Sequence, residues 1–395
     1  MPGVLDGIRV LDFGRYIAGP WCAALLGDLG AEVIRVEKVD GGEDRFNYEM
    51  SEQPGSGSMF MQCNRNKKGV TLNPTKPEGR EIQGKLIATA DVVIANMPPR
   101  ALQGLGLDYD SLKAIKPDII LVTNTAFGTV GPYAKKVGFD SVAQAMSGNM
   151  VMSGSPSQPA KSFGPWVDYG TAGLCAFGTM AAIMHRNATG EGQEVQGALL
   201  ATALMTTNSI MTEEHVTQRG RVPTGNRGQV SAPSDLFATK DGHIYVICAG
   251  QPMYARWASL MGDNHWLTEE RFVTDDDRAE NGAEISARMQ IWCVDKTTKE
   301  AMDILEEHRI PAGPVYNLQE ALKDPHIQES GMLTEVNYPG MAKPAPITST
   351  PVKLSKTPGK IRHRAPQLGE HTNDVLSSLG YDADTLAGLR EKRII

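Results

Sequence analysis

The sequence lacks paired cysteines, long apolar runs and a recognisable export signal. Its five cysteines are scattered and odd in number, and none forms a C-x-x-C pair, so neither a disulfide framework nor a zinc site is expected. No stretch reaches about 18 uncharged apolar residues, so no membrane-spanning helix is predicted. The opening stretch, MPGVLDGIRVLDFG, has neither a basic region nor a long apolar run and does not resemble a signal peptide. These absences favour a soluble protein of the reducing cytoplasm.

Basic residues are also too few for a nucleic-acid platform. The chain has 39 Lys and Arg against 46 Asp and Glu, a net charge of −7, and this balance disfavours binding to nucleic acid. The eight histidines show no H-E-x-x-H or other metal-ligand spacing, and the G-x-S-x-G motif of serine hydrolases is absent. We therefore expect no metal, no nucleic acid and no membrane among the partners of this protein.

What the sequence does contain is a regular alternation of β-branched runs and amphipathic segments over its first 130 residues. Strands that alternate with helices favour a parallel sheet with right-handed crossovers, so the predicted fold class is open α/β. The strands are predicted over 8–14, 31–38, 68–74, 91–97 and 118–128, and the helices over 20–30, 77–90 and around 110–117.

The second half of the chain is divided by one polar segment. A long helix is predicted from about Thr171 to Arg186, and EVQGALLATALMTT (194–207) is typical of a strand running into a helix. Residues 213–235 are polar and turn-rich, and they are the predicted domain junction. Beyond it, LFATKDGHIYVICAG predicts a β-hairpin around Lys240-Asp241-Gly242, and helical patterns fill 252–309.

One acid in this half is a candidate functional residue. Asp168 lies in FGPWVDYGTAG, between a loop and the predicted helix. An aspartate at a helix N-terminus commonly caps the helix, because its oxygens accept hydrogen bonds from free backbone N–H groups. Alternatively, Asp168 is a nucleophilic carboxylate that a bulky substrate can approach closely. The small residues that would permit this approach are Gly170, Thr171, Ala172 and Gly173.

Two further features also leave alternatives open. GRYIAGP (14–20) is a strand-to-helix turn where open α/β sheets bind ligands, but it is not a G-x-G-x-x-G fingerprint and could be a surface turn. Several basic side chains follow strands or lie in loops. They are either solvated surface residues or phosphate ligands at the edge of the sheet: Lys38, Arg65, Lys67 and Lys68.

Taken together, these stretches resemble one family. GIRVLDFGRYIAGPWCAALLGDLGAEVIRVEK resembles the N-terminal signature of the class III CoA-transferases, the CaiB/BaiF group. The same holds for CNRNKKGVTLNP, ADVVIANM, GFDSVAQAMSG, the ATGEGQEV turn and the late PQLGEHT. The likeness runs in order from about residue 5 to the C-terminus. It implies an enzyme that moves CoA from an acyl-CoA donor to a small carboxylic acid acceptor.

The resemblance also assigns roles to individual residues. Asp168 matches the family's nucleophilic aspartate, which is expected to pass through mixed anhydrides and an aspartyl-CoA thioester. N–H groups at the start of the following helix could stabilise the oxyanions formed on the way. No cofactor is expected to be bound permanently, since coenzyme A and acyl-CoA enter as substrates. The positions that match the family's CoA site are Arg15, Tyr16, Ile17, Ala18, Lys38, Leu72, Asn96, Met97, Leu105, and Lys135 or Lys136.

Two positions and one loop depart from the family pattern. Some members have glutamine where Ile17 stands, arginine where Gly104 stands, and a glycine-rich closing loop where this chain has TGNRGQVSAPSD. The acceptor is therefore left open. Arg15, Arg227 and the lysines suggest small carboxylates or dicarboxylates such as succinate, malate or mesaconate. Formate/oxalate exchange and carnitine activation are the alternatives.

The resemblance further implies an architecture. A large Rossmann-like CoA-binding domain would comprise residues 1–212 and a returning C-terminal segment, 321–395. A smaller inserted α+β domain would occupy 213–320. Two such chains would form an interlocked homodimer.

Related activities remain as alternatives at this point. An intramolecular CoA-transferring isomerase of a dicarboxylyl-CoA would use the same aspartate. An α-methylacyl-CoA racemase would share the fold and the CoA site but needs a histidine base in a G-H-D stretch. Here the stretch is Gly138-Phe139-Asp140, and phenylalanine cannot accept a proton. A non-enzymatic acyl-CoA-binding or regulatory protein would not need Asp168.

Overall fold

The computed structural model describes residues 3–50 and 55–395. The chain divides into two compact units. Unit 1 comprises Met1–Ser147, Phe163–Met211 and Pro325–Ile395, and unit 2 comprises Gly148–Ser162 and Thr212–Asp324. The domains expected from the sequence (1–212, 213–320 and 321–395) stay a prediction, and residues 1–2 and 51–54 of the first lie outside the described part.

Unit 1 contains a six-stranded sheet in which every neighbouring pair of strands is parallel. Its strands are β1 (Arg9–Asp12), β2 (Glu32–Glu37), β3 (Lys67–Thr71), β4 (Val92–Ala95), β5 (Ile120–Thr125) and β6 (Glu194–Ala198). Their order across the sheet is β3-β2-β1-β4-β5-β6. The chain therefore changes direction across the sheet between β1 and β4. In open α/β sheets, ligands bind at the carboxyl ends of the strands beside such a point.

Helices cover both faces of this sheet. Alternate strand residues point to opposite faces, so Leu11 and Val93 belong to one apolar core while Val10 and Val92 belong to the other. Within the described ranges, no helix is both long and apolar enough to cross a membrane. In chain order the first nine helices are α1 (Ala18–Asp28), α2 (Ser58–Cys63), α3 (Pro77–Ala88), α4 (Pro99–Leu105), α5 (Tyr109–Ile115), α6 (Asp140–Met146), α7 (Asn149–Ser153, in unit 2), α8 (Trp166–Thr189) and α9 (Leu199–Thr217).

Unit 2 has its own small antiparallel sheet and its own core. The strands β7 (Ser234–Ala238), β8 (His243–Ile247) and β9 (Ala312–Pro314) pair in that order. Its core contains the buried aromatic rings of Trp257, Trp266 and Phe272, which lie against one another. The remaining helices of this unit are α10 (Gln251–Met261), α11 (Asp275–Glu280), α12 (Gly282–Cys293), α13 (Thr298–Glu307) and α14 (Leu318–Lys323).

The C-terminal segment returns to unit 1. It contains the antiparallel pair β10 (Leu333–Val336) and β11 (Ala345–Thr348) and the helices α15 (Pro325–Glu329), α16 (Thr372–Ser377) and α17 (Ala383–Glu391). Leu376 and Leu389 from the last two helices complete the core over one face of the parallel sheet.

The predicted α/β fold with a parallel sheet is confirmed, and so is the hairpin around Lys240-Asp241-Gly242. One helix start is wrong. Helix α8 begins at Trp166, five residues before the predicted Thr171, so Asp168 lies inside its first turn rather than before it. The physical reason is a capping contact that is distant in sequence, as the site geometry shows.

Candidate active site

The turn between β1 and α1 is fixed by side chains around it. Asp12 accepts a hydrogen bond from the Gly14 N–H at 2.8 Å. Asn96, directly after β4, accepts from the Arg15 N–H at 2.6 Å and donates to the Arg15 carbonyl oxygen at 2.8 Å. The next residue, Tyr16, has φ +59°, a conformation that costs energy for a residue with a side chain. The surrounding hydrogen bonds hold it there.

Both glycines of GRYIAGP are needed for close packing of this turn. A Cβ on Gly14 would lie 2.8 Å from Asp12 Oδ1 and from Pro20 Cδ, and one on Gly19 would lie 3.1 Å from the Gly14 Cα. Ile17 is itself buried. The alternative of a loose surface turn is therefore wrong.

Beneath the turn lies a buried group of charges. Lys67 Nζ donates to Asp12 Oδ2 at 2.7 Å and to the Pro20 carbonyl oxygen at 2.8 Å, and Arg35 lies 3.4 Å from the same carboxylate. Burial alone would raise the pKa of Asp12, but the charges of Lys67 and then Arg35 outweigh it and lower the pKa.

The prediction that Arg65 and Lys67 are surface residues or phosphate ligands is therefore wrong. Lys67 is fully buried against Asp12, and Arg65 is fully buried against Asp28 at 2.6 Å. Neither is a surface cation or free to bind a phosphate. Lys68 pairs with Glu32 at 2.7 Å on the surface. Lys38 pairs with Glu43 on the surface. Of the four basic candidates named from the sequence, Lys38 alone contributes to the wall of a cavity that Arg15 also lines.

The cap of helix α8 is Asp140 and not Asp168. Asp140 Oδ2 accepts hydrogen bonds from the Val167 N–H at 2.8 Å and the Asp168 N–H at 3.2 Å. The interpretation of Asp168 as the cap is therefore wrong. The Trp166 and Tyr169 N–H groups donate to Gly164 and Pro165 carbonyl oxygens. Since all four of these amides have acceptors, the expectation that the start of α8 stabilises oxyanions is also wrong.

The carboxylate of Asp168 is left without a partner. Across residues 3–50 and 55–395, no hydrogen bond or ion pair reaches its side-chain oxygens. Burial first, and the charge of Asp140 second, raise the pKa of Asp168 to about 7. A carboxylate with this pKa is partly ionised near neutral pH and more basic than an exposed aspartate, which is the behaviour expected of a nucleophile or proton-transfer group.

The small residues after Asp168 pack helices instead of admitting a substrate. Thr171 and Ala172 are buried, and the Thr171 hydroxyl donates to the Thr202 hydroxyl of α9 at 2.7 Å. A Cβ on Gly170 would lie 3.1 Å from the Thr202 side chain. The suggested role of this stretch in substrate approach is therefore wrong for these three residues.

Asp168 lines a cavity of about 240 Å³ at the carboxyl edge of the sheet, here called the Asp168 cavity. The rings of Tyr16 and Phe139, which both line it, meet edge to face at 6.0 Å. The predicted residues that line this cavity are Arg15, Tyr16, Ile17, Ala18, Asn96, Met97, Lys136 and Asp168.

A second cavity of about 440 Å³ shares Arg15 and Met97 with the first. We call it the cation-lined cavity, because Arg15, Lys38, Lys76 and Arg393 all contribute to its wall. Glu37 and Asp40 line it as well, and two of the cations are paired, Lys38 with Glu43 and Arg393 with Asp40. The predicted residues Lys38, Leu72 and Leu105 lie here, beside the two shared ones. Of all the predicted site residues, only Lys135 lines neither cavity; its neighbour Lys136 lies over the Tyr133 ring at 4.0 Å.

Sequence reasoning missed four residues of this region. Asp140 lies in the GFDSVAQAMSG stretch at the start of α6, and no local pattern there indicates that it caps α8. Asn124 donates to the Ala18 carbonyl oxygen at 2.9 Å and lines the Asp168 cavity. Lys76 lies in a loop and Arg393 near the C-terminus. In such segments the sequence does not indicate whether a basic side chain faces a cavity or solvent.

The fold and the site define an α/β protein with an unpaired, partly buried carboxylate beside two adjoining cavities. The chain belongs to CoA-transferase family III, whose family model matches residues 5–372. The family and the enzyme class predicted from the resemblance, a CoA-transferase, are thus confirmed.

Similar proteins support the same assignment. A succinyl-CoA–D-citramalate CoA-transferase from Chloroflexus aurantiacus is 33% identical over 100% of this chain and 98% of that protein. A formyl-CoA:oxalate CoA-transferase from Rhodopseudomonas palustris is 30% identical over 99% and 97%. The solved structure of a CaiB/BaiF family protein from Brucella suis matches with a TM-score of 0.83 at 30% identity, covering 96% of this chain and 100% of that one.

Proposed function

We propose that the protein transfers CoA from an acyl-CoA donor to a small carboxylic acid through covalent acylation of Asp168. The main support for the proposal is that the Asp168 carboxylate is unpaired among the described residues and faces a cavity. It makes no ion pair or hydrogen bond through its side-chain oxygens within the described ranges, and it has a pKa raised to about 7. Structural aspartates of this chain such as Asp12 and Asp28 are instead engaged by buried cations.

In the first half of the proposed cycle, an Asp168 oxygen attacks the carbonyl carbon of the donor thioester. The C–S bond breaks, CoA leaves as a thiolate, and a mixed anhydride joins the donor acyl group to Asp168. The thiolate then attacks the aspartyl carbonyl carbon of this anhydride. The donor acid leaves as a carboxylate, and Asp168 becomes an aspartyl-CoA thioester.

In the second half the acceptor carboxylate attacks the aspartyl thioester carbon and again displaces the CoA thiolate. The thiolate attacks the acceptor's acyl carbon in the resulting anhydride, giving the new acyl-CoA and regenerating the Asp168 carboxylate. No oxidant and no net proton are required. Exclusion of water by the walls of the Asp168 cavity would protect both anhydrides from hydrolysis.

The cation-lined cavity is the proposed site for the nucleotide end of CoA. Arg15, Lys38, Lys76 and Arg393 supply charge for its phosphates. The apolar side chains of Leu72 and Leu105 offer packing surface for the adenine. Met97, which also lines the Asp168 cavity, would lie beside the pantetheine arm on its way to the nucleophile.

For the substrates we propose succinyl-CoA as donor and a small dicarboxylic acid as acceptor. The similar Chloroflexus enzyme is named for succinyl-CoA, and the Asp168 cavity carries two cations, Arg15 and Lys136. A second carboxylate on the acceptor would be attracted by this charge. Racemase activity is not favoured, because Phe139 offers no proton-accepting atom beside the cavity.

We further propose that two chains form the interlocked homodimer. Along α8, the apolar side chains of Leu174, Phe177 and Met184 are 44%, 75% and 70% exposed, and they recur at helical spacing. An apolar stripe of this kind marks an interaction surface. Phe177→Glu combined with Met184→Glu should give monomers in light scattering, whereas Ile115→Glu, at an isolated exposed position, should not. A dimer unchanged by the double substitution would exclude this surface as the interface.

Oxygen-18 labelling tests the covalent mechanism directly. An acceptor carrying oxygen-18 in both carboxyl oxygens should leave one labelled atom on Asp168 and pass it to the acid released in the next turnover. Trypsin should release residues 162–186, in which Asp168 is the only acidic side chain, and residues 137–161, in which Asp140 is. Label is expected in the first peptide alone, and only when acyl-CoA is present.

The same incubation separates the proposal from its rivals. An enzyme that transfers CoA between two molecules without a covalent aspartate would label the released acid but not peptide 162–186. A screen of carboxylic acids with succinyl-CoA and acetyl-CoA, read by mass spectrometry of the CoA esters, identifies the acceptor. Rearrangement of a dicarboxylyl-CoA with no acceptor added would indicate the intramolecular isomerase. Unchanged turnover by Asp168→Asn would overturn the role of this residue.

A further inference from the structure

A second carboxylate is built into the wall around Asp168. Asp140 begins helix α6 and is 6% exposed. Its Oδ2 accepts from the backbone of Val167 and Asp168, at 2.8 and 3.2 Å, and its Oδ1 accepts from the Gln144 side chain at 2.5 Å. Three N–H donors therefore converge on this carboxylate, and no cation does among the described residues.

The position of Asp140 has two consequences for Asp168. First, Asp140 satisfies the amides at the start of α8, so the Asp168 side chain is not needed as a cap and stays free. Second, the backbone bond ties the Asp168 main chain to a fixed negative charge. An ionised carboxylate held beside another resists ionisation of its neighbour.

We propose that Asp140 is a positioning residue that, by capping helix α8, frees the Asp168 carboxylate for nucleophilic attack and places its own carboxyl group beside it. This inference rests on the proposed function, in which Asp168 is acylated. Nothing in the chemistry requires Asp140 to touch the substrate. Its action is exerted through helix α8 and through the electric field at Asp168.

Other charged and titratable groups around Asp168 do not supply this effect. Arg15 and Tyr16 reach the cavity from the β1–α1 turn, and Lys136 from the segment before α6. The Tyr169 hydroxyl on the same helix is directed to Cys63, 3.9 Å away. Besides burial, Asp140 is the group that raises the pKa of Asp168, and neither cation of the cavity opposes it.

Two substitutions separate the two roles. Asp140→Asn keeps an oxygen that can accept from the Val167 and Asp168 amides but removes the charge. Asp140→Ala removes both the cap and the charge. The matched control is Asp382→Asn, which changes an aspartate cap at the exposed start of α17. Asp168→Asn identifies the carboxyl signal of Asp168 in carbon-13 NMR spectra of protein labelled at the Asp side chains.

In Asp140→Asn, the NMR titration of Asp168 should move to lower pH by about one unit, because a neighbouring negative charge is lost. The acid limb of kcat/KM should move in the same direction by a similar amount, with little change in KM. In Asp140→Ala, kcat should fall at least about tenfold, and Asp140→Asn should recover most of it. Asp382→Asn should leave both the titration and the pH profile unchanged.

The NMR titration does not depend on turnover. The proposed acylation of Asp168 and the proposed role of Asp140 can therefore be refuted independently of each other. If Asp168→Asn still transfers CoA, the proposed function is wrong, yet the titration still reports whether Asp140 controls the Asp168 carboxyl. If Asp168→Asn is inactive but Asp140→Asn titrates and reacts like the wild type, Asp140 is only a helix cap and the inference is overturned. Should Asp140→Ala fail to fold, the Asn variant alone decides.

Discussion

Asn96 and Arg15 exchange two hydrogen bonds between the ends of neighbouring strands. The Asn96 amide accepts from the Arg15 N–H at 2.6 Å and donates to the Arg15 carbonyl oxygen at 2.8 Å. One side chain thereby satisfies both backbone groups of the residue that precedes the left-handed Tyr16. The wall shared by the two cavities depends on this pair, since Arg15 lines both.

Asn96→Ala should therefore impair catalysis more than folding. The Arg15 backbone groups lose their partner, which costs about 1 to 3 kcal/mol when such groups stay buried. Displacement of Arg15 and Tyr16 should lower kcat/KM for acyl-CoA at least about tenfold. The control is Asn281→Ala, which removes two side-chain bonds to backbone oxygens in unit 2. Thermal unfolding and steady-state kinetics compare the two. Equal kinetic losses would contradict a specific role for Asn96.

Asp168→Asn should make the protein more stable at high pH. The pKa of Asp168 is 3.8 in the unfolded chain and about 7 in the folded protein, so ionisation favours unfolding as pH rises between these values. The full penalty is present above about pH 7, and Asn removes it, giving a gain of about 1 to 4 kcal/mol. Below the unfolded pKa the gain vanishes. Denaturant unfolding measured across this pH range checks the sign.

Asp382, the exposed cap of α17, should show the opposite dependence of stability on pH. Hydrogen bonds from Thr385 lower the pKa of Asp382, so its contribution is present above the unfolded pKa and is lost as pH falls. Asp382→Asn should therefore lose stability at neutral pH, where Asp168→Asn gains it. If Asp168→Asn lost stability at neutral pH, as Asp382→Asn is expected to, the raised pKa of Asp168 would be refuted.

Lys76→Glu should weaken acyl-CoA binding without changing the chemical step. Lys76 lies in the wall of the cation-lined cavity, where a charge-assisted contact to a phosphate is worth about 1.5 to 3 kcal/mol. KM should rise about tenfold or more while kcat stays within about twofold, and added salt should raise the wild-type KM. Lys299→Glu, at an exposed position of unit 2, is the control. A loss confined to kcat would place Lys76 outside the CoA site.

Much of the parallel sheet was predictable because its signals are local. The β-branched runs, the proline at the start of α3 and the glycines after helices lie within a few residues of the structure they determine. The start of α8 was mispredicted because its cap, Asp140, is 28 residues away in sequence. No local pattern reports a contact of that kind.

The site residues also fall into two groups: those that the sequence identifies and those that only contacts distant in sequence explain. The position of Asp168 came from the family resemblance, whereas its freedom from capping became visible only in the fold. Lys38 and Lys67 both adjoin strands and look alike in sequence. Lys67, on β3, is buried because Asp12, 55 residues earlier on β1 and separated from it by β2, needs a counter-charge.

The buried pair of Lys67 and Asp12 offers the sharpest test of how the turn is supported. Lys67→Met leaves the Asp12 carboxylate buried with Arg35 at 3.4 Å as its remaining cation, and breaking a buried pair costs roughly 3 to 5 kcal/mol. Since Asp12 also accepts the Gly14 N–H, kcat/KM should fall as well.

A second substitution distinguishes an unpaired charge from lost packing. Adding Asp12→Asn to Lys67→Met removes the uncompensated charge and keeps an oxygen for Gly14, so the double variant should be more stable than Lys67→Met alone. Lys68→Met, which breaks the half-exposed pair with Glu32 on the next residue, should cost less than about 1 kcal/mol. Urea unfolding of the wild type, Lys67→Met, Asp12→Asn and the double variant measures the coupling, with Lys68→Met as the control. A double variant less stable than either single one would mean that Lys67 acts through its contacts to Pro20 and Asn64 and not through Asp12.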